Sequence, residues 1–265
     1  MWLVDSHSHF DAAEFDADRD AAWQRARAAG VAMQVVPAVA ADGWLALRTI
    51  CATRPGLFPA YGLHPMFLER HRPEHLPLLR DWIARERPHA VGECGLDFFV
   101  PGLDVQAQQI YFEGQLQLAR EFDLPVIVHA RRAVDAVIAT LRRIGGLRGV
   151  VHSFSGSPEQ AAQLHRLGFL LGIGGPVTYD RAQRLRRIAA TVPLEQLLLE
   201  TDSPDQPGVA HRGQRNEPAF LPEVLAVVAQ LRGMPPEAVA AATRDNAVRL
   251  FNLPADLPVN LPASA

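Results

Sequence analysis

Two histidines, His7 and His9, follow the short apolar start of the chain with one serine between them. In an extended strand every second side chain points to the same face, so the two imidazoles would lie roughly 6–7 Å apart on one side. Two imidazoles in that arrangement can chelate a metal ion. The pair alone leaves a second interpretation open, in which both rings are hydrogen-bonded parts of an ordinary strand.

Histidines and carboxylates recur further along the chain, each near the end of a short apolar run. These are the side chains that bind divalent metals in proteins. Their repetition favours a shared metal site over a series of unrelated structural residues. They are His64, Glu93, His129, His152 and Asp202.

The apolar runs that precede these residues alternate with helical patterns. After a first strand from Leu3, the sequence predicts strands at 33–39, 58–63, 90–95, 125–129, 149–152, 169–174 and 196–200. It predicts helices at 18–29, 42–53, 74–87, 105–122, 133–144, 158–167, 181–190, 219–231 and 236–251. Strands that are apolar on both faces indicate a parallel sheet, and eight such units favour a closed barrel over an open doubly wound sheet.

We therefore predict an α/β fold in which residues 1–265 form one domain, a TIM-type (β/α)8 barrel. Residues 252–265 contain three prolines and are expected to form an extended C-terminal tail. The carboxyl ends of all strands of such a barrel meet at one face. Residues that are nearly 200 positions apart in the sequence would therefore come together there.

Six potential ligands are more than one tetrahedral ion needs, and they suit two divalent ions that share a carboxylate. The shared group is predicted to be Glu93, because it comes from the fourth of the eight strands. A water bridging the two ions would lose its proton near neutral pH, and Asp202 could accept that proton. One ion would bind His7, His9 and Asp202, the other His129 and His152, and both would bind Glu93.

The composition limits the other possibilities. The net charge of −3 excludes a broad electrostatic grip on nucleic acid, so such a substrate would need a local basic patch. The chain has no lysine, which excludes a carboxylated lysine as the metal bridge. Cys51 and Cys94 are too few for a disulfide framework, and no leader or membrane span is evident. We expect reduced thiols, a cytoplasmic location and no obligatory protein partner.

Six segments resemble the signature blocks of the TatD family of metal-dependent DNases, which belong to the amidohydrolase superfamily. The resemblance implies a metal-dependent hydrolase on a TIM barrel that cleaves DNA phosphodiesters, with 3′–5′ exonuclease activity. It also places the metal ligands on the six residues deduced above. One departure is Asp205-Gln206-Pro207, where many members have an aromatic residue or leucine. The segments are 5–11, 62–65, 92–97, 128–131, 152–156 and 200–204, and with 215–218 they span most of the chain.

Four further residues are candidates for substrate contacts, and each has a structural alternative. His64 could hydrogen-bond a phosphate or leaving group, or could hold its own loop. Arg131 could clamp a phosphate oxygen, or could pair with Asp97 or Glu200. Arg212 and Arg215 lie after the eighth strand, where barrels often bind phosphate, but they could equally be surface arginines.

The leading hypothesis is a phosphodiesterase, most specifically a DNase that acts on single-stranded DNA or on strand ends through the bridging hydroxide. A second hypothesis is a carbon-centred hydrolase of an amide, a lactone or an aminoacyl-tRNA ester, with the same two ions. A non-catalytic scaffold is the third. Four imidazoles and two carboxylates suit Zn²⁺, Mn²⁺, Co²⁺ or Ni²⁺, and the resemblance also allows Mg²⁺.

Overall fold

Eight parallel strands, hydrogen-bonded in the order in which they occur along the chain, form the centre of the fold. The structure is a computed structural model that describes residues 1–255. The first and the eighth strand also meet, because the Ser6 amide, directly after the first strand, donates to the Leu199 carbonyl of the eighth at 3.0 Å. This contact nearly closes the barrel. The predicted barrel is thus confirmed. The strands are β1 (Leu3–Asp5), β2 (Val31–Pro37), β3 (Leu57–Tyr61), β4 (Ala90–Asp97), β5 (Val126–Arg131), β6 (Gly149–Val151), β7 (Phe169–Ile173) and β8 (Leu197–Leu199).

Helices surround this sheet, and their bounds agree with the predicted ones to within a few residues. Asp104 caps the helix that begins at Val105, because its carboxylate accepts hydrogen bonds from the Gln106 and Ala107 amides. None of the helices within residues 1–255 is both long enough and apolar enough to cross a bilayer. The α-helices are α1 (Arg19–Ala28), α2 (Trp44–Ala52), α3 (His75–Glu86), α4 (Val105–Glu121), α5 (Val134–Ile144), α6 (Pro158–Arg166), α7 (Gln183–Thr191), α8 (Leu221–Arg232) and α9 (Pro236–Phe251).

The barrel interior has its own apolar cluster, to which seven strands contribute buried residues and against which the half-buried Leu170 of β7 packs. The last turn of α9 supplies Leu250 and Phe251 to the same cluster, so this helix end closes the barrel interior. Full burial of a leucine or phenylalanine side chain stabilises the folded state by about 1.5–3 kcal/mol of transfer free energy. A larger cluster fills the space between sheet and helices.

Two local expectations differ from the structure. His7 and His9 do not lie within a strand, because β1 ends at Asp5 and the chain then crosses the barrel rim, where the His9 amide donates to the Ser203 carbonyl. At the other end of the chain, Asn252 has a left-handed conformation and the Leu253 amide donates to the Val248 carbonyl, so the chain folds back on α9. The rest of the predicted tail, residues 256–265, lies outside the described residues.

Candidate metal centre

The six residues predicted as metal ligands meet at the carboxyl-end rim of the barrel. The segment after β1 provides two of them, β4 and β5 provide one each, and the other two come from the segments that follow β6 and β8. Because each strand ends at this rim, the barrel topology rather than sequence proximity brings them together. They are His7, His9, Glu93, His129, His152 and Asp202.

Glu93 lies at the centre of this group and directs its two oxygens toward different histidines. Its Oε2 is 3.1 Å from His7 Nε2 and 3.2 Å from His9 Nε2. Its Oε1 is 3.1 Å from His129 Nδ1 and 2.7 Å from His152 Nε2. This is the arrangement expected of a carboxylate shared between two cations.

Asp202 completes the side of the cluster that contains His7 and His9. Its Oδ1 lies 3.4 Å from His7 Nε2 and 3.8 Å from His9 Nε2. His152 is less clearly assigned to the opposite side than predicted, because its ring stacks on that of His7 with centroids 3.9 Å apart. Three sets of ligand atoms lie close enough to hold an ion, namely His7 with His9 and Asp202, His7 with Glu93 and His152, and His64 with Glu93 and His129.

Hydrogen bonds on the outer side of two rings prepare them for metal binding. His9 Nδ1 lies 3.2 Å from the Pro37 carbonyl, and His129 Nε2 lies 2.8 Å from Asp97 Oδ2. In a neutral ring these nitrogens carry the proton and donate it, so the lone pair of the other nitrogen points into the cluster. His129 Nδ1 then faces His152 Nε2 at 3.3 Å. The lone pairs of these nitrogens and of the carboxylate oxygens repel one another. A cation bound between them would accept these lone pairs and remove the repulsion.

Within the described part of the chain, residues 1–255, the carboxylates of this rim have no arginine partner. Five buried acids lie in or directly behind the cluster, and within residues 1–255 their charged contacts are with histidines alone. Glu93 Oε2 is buried and no donor is aligned on it for a hydrogen bond. Because buried carboxylates need compensating charge, the donor set fits divalent ions. The acids are Asp5, Glu93, Asp97, Glu200 and Asp202.

The pKa values show how strongly the cluster attracts positive charge. Burial alone would raise the pKa of Glu93, but the imidazoles of His152, His64 and His7 hold it well below its usual range. Burial would lower the pKa of His9, yet contact with Glu93 raises it to about 9. Burial raises the pKa of Asp202 to about 6. Glu93 therefore remains an anion, while Asp202 can exchange a proton close to neutral pH.

Three residues of the site were not predicted in the roles that the structure gives them. Asp97 orients His129, and hydrogen bonds from His129 and two backbone amides offset its burial and lower its pKa to about 2. Gln206 donates to Asp202 Oδ2, while its own carbonyl oxygen accepts from the Ser153 hydroxyl. Asp5, beneath the cluster, accepts from the Thr201 hydroxyl at 2.6 Å. For Asp5 and Asp97, a position at the end of a strand is the only signal that the sequence offers, and Gln206 in the loop after β8 has no such signal.

His64 lies against the cluster but also holds its own loop. Its Nδ1 accepts from the Met66 amide at 3.1 Å, so the proton is on Nε2, which donates to Glu93 Oε1 at 2.9 Å. Burial lowers the pKa of His64 to about 4, so the ring is neutral. It combines the loop contact expected of a turn histidine with a hydrogen bond that orients Glu93.

The three candidate arginines differ in their surroundings. Arg131 is exposed at the end of β5, with its guanidinium 3.7 Å from the ring centroid of Phe99. The expected alternative partner of Arg131, Asp97, is instead hydrogen-bonded to His129. Arg212 is also exposed. Arg215 is held by two carboxylates, those of Asp18 and Glu217, with nitrogen–oxygen distances of 2.6 Å to each.

Comparison with known proteins identifies the family of this chain. The family model described as TatD related DNase matches residues 4–252. The chain belongs to the TatD family of metal-dependent hydrolases. It is 42% identical over 256 residues to the metal-dependent hydrolase YjjV of Escherichia coli K12, a match that covers 95% of this chain and 98% of YjjV. The crystal structure of YjjV superposes with a TM-score of 0.90 at 40% identity, again covering 95% of this chain and 98% of YjjV.

A second relative in the TatD family carries a more specific name. It is the 3′-5′ ssDNA/RNA exonuclease TatD of Erwinia billingiae, which is 35% identical over 264 residues. The match covers 96% of this chain and all of the relative. The chain and these relatives therefore share the whole barrel.

Proposed function

We propose that this chain hydrolyses phosphodiester bonds of single-stranded DNA, with 3′–5′ exonuclease activity. The observation that carries the proposal is the position of Glu93 between two groups of ligand nitrogens, because a shared carboxylate suits a pair of ions that grip one phosphate. The match to the TatD related DNase model and the name of the Erwinia relative support the choice of substrate.

The proposed ligands divide around Glu93. His7, His9 and Asp202 would hold one ion, and His129 with His152 the other. Two divalent ions bound there would polarise the phosphate and activate the attacking water. The imidazole-rich set suits Zn²⁺, Mn²⁺, Co²⁺ or Ni²⁺, and Mg²⁺ remains a candidate through the family.

The chain's own residues position these groups and handle the proton. Gln206 holds one oxygen of Asp202, so the other oxygen faces His7 and His9. Asp202, whose Oδ1 faces the two histidines, would accept a proton from the nucleophile. Asp97 fixes the ring of His129, and Glu200, packed against Gly172, lies 3.7 Å from His152 Nδ1. Arg131 at the rim would bind a phosphate oxygen.

A carbon-centred hydrolase is the second candidate, and one observation favours it. Arg215 is engaged by two carboxylates and Arg212 is exposed, an arrangement that an acyl substrate would tolerate because it brings no phosphate charge. Metal binding does not separate the two candidates, since the same ions would activate water toward a carbonyl or a phosphorus.

A nuclease assay separates them. The substrate is a single-stranded oligonucleotide blocked at its 5′ or its 3′ end in turn, with Mg²⁺, Mn²⁺, Co²⁺, Ni²⁺ or Zn²⁺, beside a carboxyl ester. We expect metal-dependent release of mononucleotides that stops when the 3′ end is blocked. Hydrolysis of the ester without release of nucleotides would contradict the proposal and support the second candidate.

A further inference from the structure

A cavity with a volume of about 440 Å³ lies at the rim beside the metal centre. It is bounded by segments that directly follow proposed site residues. Phe98 comes after Asp97, Arg132 comes three residues after His129, and Ser155 comes three residues after His152. Its volume lies within the range of about 300–1,000 Å³ that is typical of small-molecule sites. A polymer that extends from the metal centre over β5 and β6 would enter it.

Two exposed arginines line this cavity, Arg132 and Arg184. Neither forms an ion pair with a carboxylate elsewhere in residues 1–255, whereas Arg215 has two. Arg184 is anchored by a 2.9 Å hydrogen bond to the Ser155 carbonyl, which holds its guanidinium at the cavity wall. Asp135, the acid in the same wall, is hydrogen-bonded by the Gln160 amide. The charge balance of the cavity therefore favours an anion.

Aromatic surface lies beside these arginines. The side chains of Phe98 and Phe99 are 39% and 43% exposed, which is unusual for large apolar rings in a well-packed barrel. Arg132 lies 4.6 Å from the centroid of the Phe99 ring, and Phe98 forms part of the cavity wall. Aromatic rings next to unpaired arginines are how proteins bind the bases and phosphates of single strands.

We propose that this cavity is a subsite for the nucleotide next to the scissile phosphate of a single-stranded nucleic acid. Arg132 and Arg184 bind its phosphate, and Phe98 stacks on its base. The first turn of α5, which forms another wall and has no side-chain cap, adds amide donors for the phosphate. This inference rests on the proposed function and extends it, because it states how a strand is recognised beyond the bond that is cleaved.

The test compares two phosphodiesters. Single-stranded octathymidylate can fill the subsite, whereas bis(4-nitrophenyl) phosphate has one phosphate and cannot place a second between the arginines. For Arg132→Ala and Arg184→Ala we expect the ratio of kcat/KM for the octamer to that for the small diester to fall about tenfold each, as for the loss of a charge-assisted contact. Phe98→Ala should lower the ratio by a similar factor of about ten through lost stacking.

Arg244→Ala is the matched control, because Arg244 also lies over an aromatic ring, that of Trp2, but on α9. It should leave the ratio unchanged. If the subsite variants behave like Arg244→Ala, or lose both activities in parallel, the inference is wrong.

A binding measurement keeps this inference separate from the proposed function. Fluorescence anisotropy of a labelled, hydrolysis-resistant phosphorothioate octathymidylate on the metal-loaded protein should show about tenfold weaker binding for Arg132→Ala and Arg184→Ala. A wild-type protein that cleaves neither diester but shows this weakening would refute the proposed function and retain the subsite. Wild-type binding equal to that of the variants would overturn the subsite even if DNA is cleaved.

Discussion

The connection between β8 and α8 joins two carboxylate clusters that are neutralised in different ways. At its start, Asp202 belongs to the buried candidate metal centre, whose acids form ion pairs only with histidines among residues 1–255. Further on, Glu217 belongs to a half-exposed network in which Asp18 and Glu217 are paired with Arg25 and Arg215. In the network the chain supplies its own cations. In the metal centre it does not, and this difference is the physical basis for expecting bound metal ions.

Replacing Glu93 should disrupt the candidate metal centre and cause the largest loss of activity. Glu93→Gln removes the charge shared by both proposed ions, so we expect metal-dependent activity to fall by more than about 100-fold, beyond the range of losses from residues that only orient ligands. Steady-state kinetics measures this fall. Glu113→Gln, which removes a carboxylate paired with Arg143 on the surface, is the control and should keep its activity. Equal activity of the two variants would contradict the assigned role.

Adding metal should stabilise the protein for the same reason. A ligand that binds only the folded state contributes about 2.7 kcal/mol when its concentration is 100 times the dissociation constant. At 2–4 °C per kcal/mol for a domain of this size, we expect a rise in Tm of about 5–10 °C when a chelator is replaced by Mn²⁺. Differential scanning fluorimetry of the wild type and Glu93→Gln tests this, and the variant should show a smaller rise. The same rise in both would show that the ions bind elsewhere.

Asp97 orients a ligand without reaching the cluster, so its replacement should have an intermediate effect. Asp97→Asn keeps the shape but removes the charge that faces His129 Nε2. We expect activity or metal affinity to fall about 10- to 100-fold. Measuring activity at increasing metal concentrations separates a loss of catalysis from a loss of metal affinity. Extra metal would restore the activity if only the affinity for metal is lowered. Unchanged kinetics would mean that the ring of His129 needs no such support.

Gln206 should matter less, because it contributes one neutral donor to Asp202. Gln206→Ala removes that donor and the contact with Ser153, and we expect kcat to fall roughly tenfold, which corresponds to about 1–1.5 kcal/mol. Ser153→Ala removes only the outer contact and should cost less. A larger loss in Ser153→Ala than in Gln206→Ala would contradict the proposed order of contacts.

The arginine–carboxylate network should show the smallest effect, and it should be on stability. Arg215→Ala removes two partly exposed ion pairs, which we expect to cost about 1 kcal/mol. Arg215 lowers the pKa of Asp18, and the arginines outweigh burial to lower that of Glu217. Because these folded-state pKa values lie below the unfolded ones, the stabilisation is present above about pH 4 and is lost as the pH falls further.

Urea unfolding at pH 7 and pH 3 measures this difference. The stability gap between wild type and Arg215→Ala should shrink at pH 3. If Arg215→Ala instead lost DNA hydrolysis selectively and kept normal stability, the result would support the predicted contact between Arg215 and a phosphate.

The sequence was sufficient to predict that the six proposed ligands meet, because barrel topology brings the ends of the strands together regardless of the loop conformations. The positions of Glu93 in β4, of His129 in β5 and of His152 directly after β6 were enough to predict this. Loop residues were less predictable. The ion pairing of Arg215 depends on how the β8–α8 connection packs on α1, because its partner Asp18 directly precedes that helix. The pairing of Asp97 with His129 rather than Arg131 depends on side-chain conformations at the rim, which strand periodicity does not determine.

The proposed function requires Glu93 to be shared by two metal ions. Anomalous diffraction from a crystal soaked in Mn²⁺ tests it directly. We expect two peaks on either side of the Glu93 carboxylate, one beside His7 and His9 and the other beside His129. A single peak, or two peaks that do not both touch Glu93, would contradict it.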